Sequence, residues 1–310
     1  MPACRPQNFA NPDVDTQTWY VAARSSDVRT GKIKTHRLLH RNIILYRDSA
    51  GVAHAMDAQC PHLGADLGQG KLISDEVQCA FHHWRFGPDG RCRSAPNHTS
   101  TPSRCVRAYP TEERWGLLWL FNGPRASFPL PSPPDAGRYR IVRTPSQIIR
   151  CHPHLVVGNG LDTAHLGTLH EMDFTAPPHW SAGAPFTVTS TVQGRPRAAW
   201  LRWVTGSSRE DIVATFSALG GNLAWATVSQ PVRFHALFTG QPDAGGCRTQ
   251  VVLFLPATFD TKPLRAVALL LFILKNDRRV LERLQFVPAY AEGDECLRSL
   301  AEVVNSMPVW

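Results

Sequence analysis

The chain has 310 residues, 43% hydrophobic and 19% charged, the make-up of a folded protein with room for two cores and not of a disordered or repeat-built one. Its formal charge of +8 comes from scattered Arg and Lys rather than basic runs interleaved with aromatics. Nucleic acid is therefore not the expected partner, and the mildly basic surface suits an acidic protein instead. The longest apolar run, 266–274, is too short to cross a bilayer and the first residues lack a signal peptide's apolar core, so no membrane span and a cytoplasmic location are expected.

In chain order, residues 17–57 hold strand-like pieces, "TWYVAA", "NIILYRD" and "VAHAMD", separated by turn residues such as Asp48-Ser49-Ala50-Gly51. Two Cys/His pairs follow in loops, the first running into a Gly-rich segment that ends at Gly70, the second into the hairpin signal Pro88-Asp89-Gly90. The apolar strand "WGLLWLF" at 115–121 closes an antiparallel β unit. From Pro124 to Pro134 the composition is that of a semi-rigid linker. A boundary near residue 125 gives two domains, 17–125 and 126–310.

The second domain opens with a helix-like stretch around 153–171. Strands are expected at 186–193, 199–205, 211–217, 223–238, 248–255 and 266–274. A helical pattern begins near Asn276 and breaks near Pro288. That succession predicts a sheet wrapped on a long terminal helix, an α+β unit.

The Cys/His pairs carry the first chemistry. Cys60-Pro61-His62 is C-x-H and Cys79-Ala80-Phe81-His82 is C-x-x-H. Four such ligands could hold zinc, but zinc ribbons repeat one gap. The unequal gaps suit a Rieske [2Fe–2S] centre, with Cys60 and Cys79 on one iron and His62 and His82 on the other. Two neutral imidazoles in place of thiolates remove negative charge and raise the cluster's potential. Of the neighbours, His83 reads as a surface or packing residue and Trp84 as a lid on the cluster. The other six of the eight cysteines need no special role.

The second constellation is "GNGLDTAHLGTLH", residues 158–170. Asp162 and His165 share a helix face. His165 and His170 do not, so joint coordination needs a bend or π-bulge, easiest at Gly167. Two histidines and a carboxylate would form the facial triad of a mononuclear Fe(II) site with positions open for O₂ and substrate. Asp277 is the chosen third ligand, with Glu282 and Asp260 as alternatives. Asp162 serves better as an outer carboxylate that orients His165 and links this iron to an incoming electron. Asn159 is expected to support the site by hydrogen bonding. Trp200, Trp203, Trp225 and Phe234 are candidate pocket walls, though strand aromatics often just pack.

Together "CPHLGADLGQG…CAFHHWRF" and "NGLDTAHLGTLH" resemble the Rieske non-haem iron oxygenases over nearly the whole chain. The similarity is nearest to oxygenases of bulky apolar substrates: 3-ketosteroid 9α-hydroxylase, cholesterol 7-desaturase and aminopyrrolnitrin N-oxygenase. It implies an antiparallel β Rieske domain followed by a helix-grip (START-like) catalytic domain, often in a homotrimer where Asp162 bridges an iron-bound histidine to a neighbour's cluster histidine. It further implies electrons from NAD(P)H through a reductase, with or without a ferredoxin. Gly158 stands where many relatives carry an acidic residue. The expected activity is O₂-dependent oxidation, monooxygenation first, of an apolar or aromatic small molecule. The alternatives are an electron-transfer or regulatory Rieske protein without oxygenase chemistry, and a zinc-binding interaction module.

Overall fold

The computed structural model describes residues 7–96, 98–135, 137–199, 202, 210–230, 233–257 and 274–310. They form two compact units, one of residues 17–130 with Trp310, the other of residues 131–309 with the N-terminal segment through Thr16.

The first unit contains β1 (Trp19–Arg24), β2 (Ile33–Leu38), β3 (Arg41–Arg47), β4 (Ala53–Asp57), β5 (Lys71–Ile73), β6 (Glu76–Gln78), β7 (Arg85–Phe86), β8 (Cys92–Ser94), β9 (Ala108–Tyr109), β10 (Thr111–Arg114) and β11 (Leu117–Phe121). They pair antiparallel as three small sheets, β1-β11-β10, β2-β3-β4-β9 and β5-β6-β7-β8. Strand β3 shows why an almost continuous apolar string folds this way. Its side chains alternate between two cores, Ile43 and Leu45 entering one with Leu118 and Leu120, Ile44 and Tyr46 entering the other with Met56 and Phe86. A strand buried on both faces has no polar side to show. The second core also holds Cys60 and Cys79. At the unit's end, the Trp19 indole N–H donates to the Phe128 carbonyl at 2.9 Å.

The second unit adds β12 (Tyr139–Arg143), β13 (Gln147–Ile149), β14 (Met172–Gly183), β15 (Thr187–Pro196), β16 (Ile212–Leu219), β17 (Leu223–Gln230), β18 (Phe234–Asp243) and β19 (Gly246–Pro256), with helices α1 (Pro153–Gly158), α2 (Thr163–Thr168) and α3 (Glu295–Ser306). The strands make one antiparallel sheet in the order β12-β19-β18-β17-β16-β15-β14, with β13 also pairing β19. Cys296, Leu300, Ala301 and Val304 of α3 pack with Val188, Ala218 and Ala224 of the sheet, the sheet-on-helix arrangement expected of an α+β, helix-grip unit. The N-terminal segment straps the helices together. Asn8 donates to the carbonyls of Val304 and Met307, and the Ala10 N–H donates to His154 Nδ1 at 3.0 Å.

Several expected elements change. Strand β14 is absent from the sequence reading because it lies at the sheet's edge among the described residues, carries Pro177 and Pro178, and is mostly exposed, so it shows no apolar alternation. The stretch 223–238 is two antiparallel strands, β17 and β18. Of the strand expected at 199–205, Ala199 and Arg202 are helical, the Arg202 N–H donating to the Ala198 carbonyl; the "RAAWLR" string favours helix. The strand expected at 266–274 lies outside the described residues except for Leu274, which is helical. The terminal helix comes as helical residues 274–281 and then α3. The break falls before Pro288, at Arg283, which adopts φ +69° and donates its N–H to the Arg150 carbonyl.

Candidate metal centres

The two cysteine loops repeat one backbone design. In each, the cysteine N–H donates to the carbonyl five residues on and the cysteine carbonyl accepts from the N–H four residues on: Cys60 with Ala65 and Gly64, Cys79 with Trp84 and His83. The fourth position after each cysteine is left-handed, at φ +82° for Gly64 and +57° for His83. Histidine occupies the second position in one loop and the third in the other, which is how unequal spacing arises from matching turns. Gly70 holds the loops close, since a Cβ there would fall 2.1 Å from the Gln78 carbonyl oxygen.

Cys60 and Cys79 are 2% and 1% exposed, and their thiols are close enough to perturb one another. The imidazoles of His62 and His82 lie 4.6 Å apart between ring centres. His62 Nδ1 is buried and has no hydrogen-bond partner, an arrangement that a bound metal would satisfy. Burial, and then the neighbouring Cys79, pushes the Cys60 thiol up to about 11. Burial, then His82, His98 and Arg104, pushes His62 down, which keeps its ring neutral and able to ligate. Two buried thiols and an orphaned imidazole nitrogen in matched turns fit a Cys₂His₂-ligated cluster. Trp84 is not a free lid. It is buried and stacks on His62 at 4.4 Å with 5° between planes, while His98 meets Trp84 edge-on. Arg104 donates to the Pro61 carbonyl at 2.7 Å, and His83 is exposed as expected.

In the second unit, His152 caps α1 through its Nδ1 and Pro153 opens the helix. A tight turn, Asn159–Leu161, then leads to Asp162, whose carboxylate accepts the His165 N–H at 3.0 Å and caps α2. The helix ends at Thr168. The His165 carbonyl receives N–H groups from both Leu169 and His170, at 2.7 and 3.4 Å, and Glu171 turns left-handed at φ +51°. The expected bend at Gly167 is thus a helix terminus two residues later, closed by a π-type i→i+5 bond, and it swings His170 toward His165. Gly167 itself stays helical.

The imidazole centres of His165 and His170 are 5.0 Å apart. Asp277, from helical residues 274–281, accepts from His170 Nε2 at 2.7 Å and lies 3.7 Å from His165 Nε2. One ligand atom from each of the three falls within 4.8 Å of the others. Each side chain is under 15% exposed. His165 Nδ1 donates to the Asp162 backbone carbonyl at 2.6 Å, leaving Nε2 as the acceptor that faces the site. Asp162 thus orients His165 as expected, though the ring is held by its backbone carbonyl, which no composition signal marks, while its carboxylate caps the helix. The Asn159 amide sits 3.3 Å from His165 Nε2, the support expected of it. Burial holds His165 below the usual imidazole range, countered first by Asp277 and then by Asp162. A neutral imidazole, a second histidine and a carboxylate on one point suit a non-haem iron ion.

Of the alternative ligands, Glu282 is engaged by Arg150 and Arg278 at 3.6 and 3.5 Å, and Asp260 lies outside the described residues. Among the expected pocket aromatics, Phe234 packs on the sheet face that meets the helices. Trp225 lies on the other face with His235 and Phe254, a consequence of two-residue strand periodicity. Trp200 and Trp203 lie outside the described residues. No described helix is long and apolar enough to cross a membrane.

Residues 18–110 match the Rieske [2Fe-2S] domain family, so the first unit carries a Rieske domain. It is 30% identical over 169 residues to the oxygenase component of 3-ketosteroid-9-alpha-monooxygenase from Rhodococcus rhodochrous, covering 52% of this chain and 45% of that one. With 4beta-methylsterol monooxygenase of Methylococcus capsulatus it shares 32% identity over 157 residues, covering 47% and 42%. The chain thus spans about half the length of the curated relatives it matches. The fold is similar to that of dicamba monooxygenase bound to dicamba, with a TM-score of 0.70 at 21% identity, covering 93% of this chain and 96% of that one. The chain is thus similar to oxygenases in sequence over about half its length and in fold over most of it.

Proposed function

We propose that this protein is a terminal oxygenase component that oxidises, most simply by monooxygenation, a bulky apolar or aromatic small molecule. Cys60, His62, Cys79 and His82 hold the Rieske cluster, and His165, His170 and Asp277 hold the mononuclear iron. The observation that carries the reading is the convergence of these last three on one point, Asp277 lying 107 positions beyond His170, in a chain that also carries a Rieske domain. Bound, the two centres supply single electrons and a site for activating O₂.

The chain's own residues prepare that chemistry. The Asp162 carbonyl fixes the His165 tautomer, and the Asn159 amide steadies the same ring. For His170 Nε2 to offer a lone pair to a metal, its proton, which Asp277 accepts, would move to the unpartnered Nδ1. Leu166 of α2 packs with Val192, Ala214 and Phe174 of the sheet, which gives the helix carrying His165 an apolar, water-poor footing. The names of the sterol-oxidising relatives support an apolar substrate, and "oxygenase component" supports a separate reductase, with or without a ferredoxin, drawing on NAD(P)H. A homotrimer is the assembly the family resemblance favours.

Anaerobic purification followed by iron and sulfide counting, and then substrate-dependent O₂ uptake with a reductase and a steroid and arylamine panel, tests the proposal. Oxygen uptake should vanish in His165→Ala while the cluster's paramagnetic signal after reduction persists. Turnover unchanged in that variant sinks the oxygenase mechanism and leaves an electron-transfer protein. Zinc in place of iron and sulfide sinks both.

A further inference from the structure

Strand register divides the second unit's sheet into two faces, and on the face toward the helices the ring of Phe216 has small side chains for its immediate neighbours. Phe216 has Ala214 and Ala218 two residues away along β16. Across the strands its row runs through Ser190 of β15, Ala226 of β17 and Ala236 of β18. All five neighbours are buried, whereas Phe216 retains partial exposure. A side chain in the middle of a sheet that keeps partial exposure is not fully packed on that face.

Two further observations tie Phe216 to the proposed iron site. Phe216 is shared by the apolar clusters of α3, of β18 with β19, and of α2, so it sits where the groups packed by those elements meet. Its ring also rests against Gly160, where a Cβ would come within 2.9 Å of it. Gly160 adjoins Asn159, whose amide touches His165. Beside the ring, the Ser190 hydroxyl is fully buried and has no hydrogen-bond partner. Buried hydroxyls are ordinarily paired, so this one is an unused polar contact.

We propose that Phe216 is a specificity-determining residue of the iron site: its ring walls off a recess floored by Ala226, Ala236 and the Ser190 hydroxyl, and thereby limits the size of flat apolar substrate the site accepts. The inference rests on the oxygenase reading for its substrate class. Its physical content is that apolar pockets select by the volume of the side chains that line them. Removing the ring enlarges the pocket and uncovers a hydroxyl able to bond a polar substituent.

The test uses holoenzyme under argon, with iron and sulfide counted for each variant, and measures dissociation constants for naphthalene, 2-naphthol and pyrene by ligand fluorescence. Relative to naphthalene, pyrene should bind about tenfold tighter to Phe216→Ala than to the unaltered protein, with Phe216→Leu between. In Phe216→Ala, 2-naphthol should be preferred over naphthalene, and adding Ser190→Ala should erase that preference. Trp225→Phe, on the opposite face, should leave every ratio unchanged.

An unchanged pyrene-to-naphthalene ratio in a Phe216→Ala protein of normal iron and sulfide content overturns the proposal. So does an equal shift in Trp225→Phe, or failure of all three compounds to bind the unaltered protein and Phe216→Ala alike. The oxygenase reading fails by a different route, through missing mononuclear iron or absent O₂ uptake, with the binding ratios still readable.

Discussion

At the scale of single residues, the iron site depends on what each nitrogen is already bonded to. His165 has one nitrogen committed to the Asp162 carbonyl, while His170 Nδ1 is buried without a partner and its Nε2 faces Asp277. Asp277 supplies the only negative charge among the three proposed ligands, so Asp277→Asn should lower mononuclear iron retention by at least about tenfold, the low end of what loss of even a supporting partner costs. Metal analysis after gel filtration checks this. Cluster iron and sulfide should stay unchanged, and equal loss of both kinds of iron would mean the substitution unfolds the protein. The two histidines are visible in sequence because D-x-x-H-x-x-x-x-H is local. Asp277 is legible only once a distant carboxylate is required, and the Asp162 carbonyl is not legible, since every residue has one.

At the scale of elements, helix ends position the ligands. Asp162 caps α2 through its carboxylate, so Asp162→Ala should destabilise the unit by about 1 kcal/mol, the usual worth of an N-cap. Asp162→Asn, which caps as well, should keep the melting temperature. If Asp162 also links an iron ligand to a partner subunit's cluster, the Asn variant should still lose turnover while remaining fully folded, a split visible when melting and O₂ uptake are measured together. The sequence foresaw a break between the histidines because five residues do not fit one helical face. It misplaced that break because a terminus with a left-handed Glu171 needs no glycine.

The N-terminal strap makes a second prediction for these elements. His152 is held at about 4 by burial, and His154 lies well below its usual 6.5, again chiefly through burial. His154 accepts the Ala10 N–H, and His152 Nε2 donates to the Asn11 carbonyl when neutral. Between about 4 and 6.5 the unfolded chain binds more protons at these rings than the folded one, so stability rises with pH there and is lost as pH falls through that window. Denaturant midpoints measured from pH 7.5 to 4.5 should fall, and His154→Gln should flatten the decline. An equally steep decline in that variant would assign the acid sensitivity to other groups.

At the scale of the whole molecule, the sequence shows the N-terminal unit more clearly than the second. Its strands are short, apolar and punctuated by turns, and its ligands are paired within loops. In the second unit the edge strand β14 carries prolines and exposed polar groups, and the pocket residues are fixed by register across four strands, which no local pattern records. Each proposed centre lies wholly within one unit, the cluster ligands between Cys60 and His82 and the iron ligands between His165 and Asp277, and the chemistry of their ligands differs. Thiolates hold the cluster iron together with bridging sulfide, whereas the mononuclear site offers only nitrogen and oxygen donors and open positions. Mild chelation under argon should therefore remove about one iron of about three per chain, leaving sulfide content and the reduced cluster's paramagnetic signal intact. Substrate-dependent O₂ uptake should disappear with that single iron and return on adding Fe(II). Because protons compete with metal for histidine and carboxylate lone pairs, reconstitution should weaken as pH falls. Chelation that strips sulfide in step with activity would instead mean that the Rieske cluster is the chain's sole iron site.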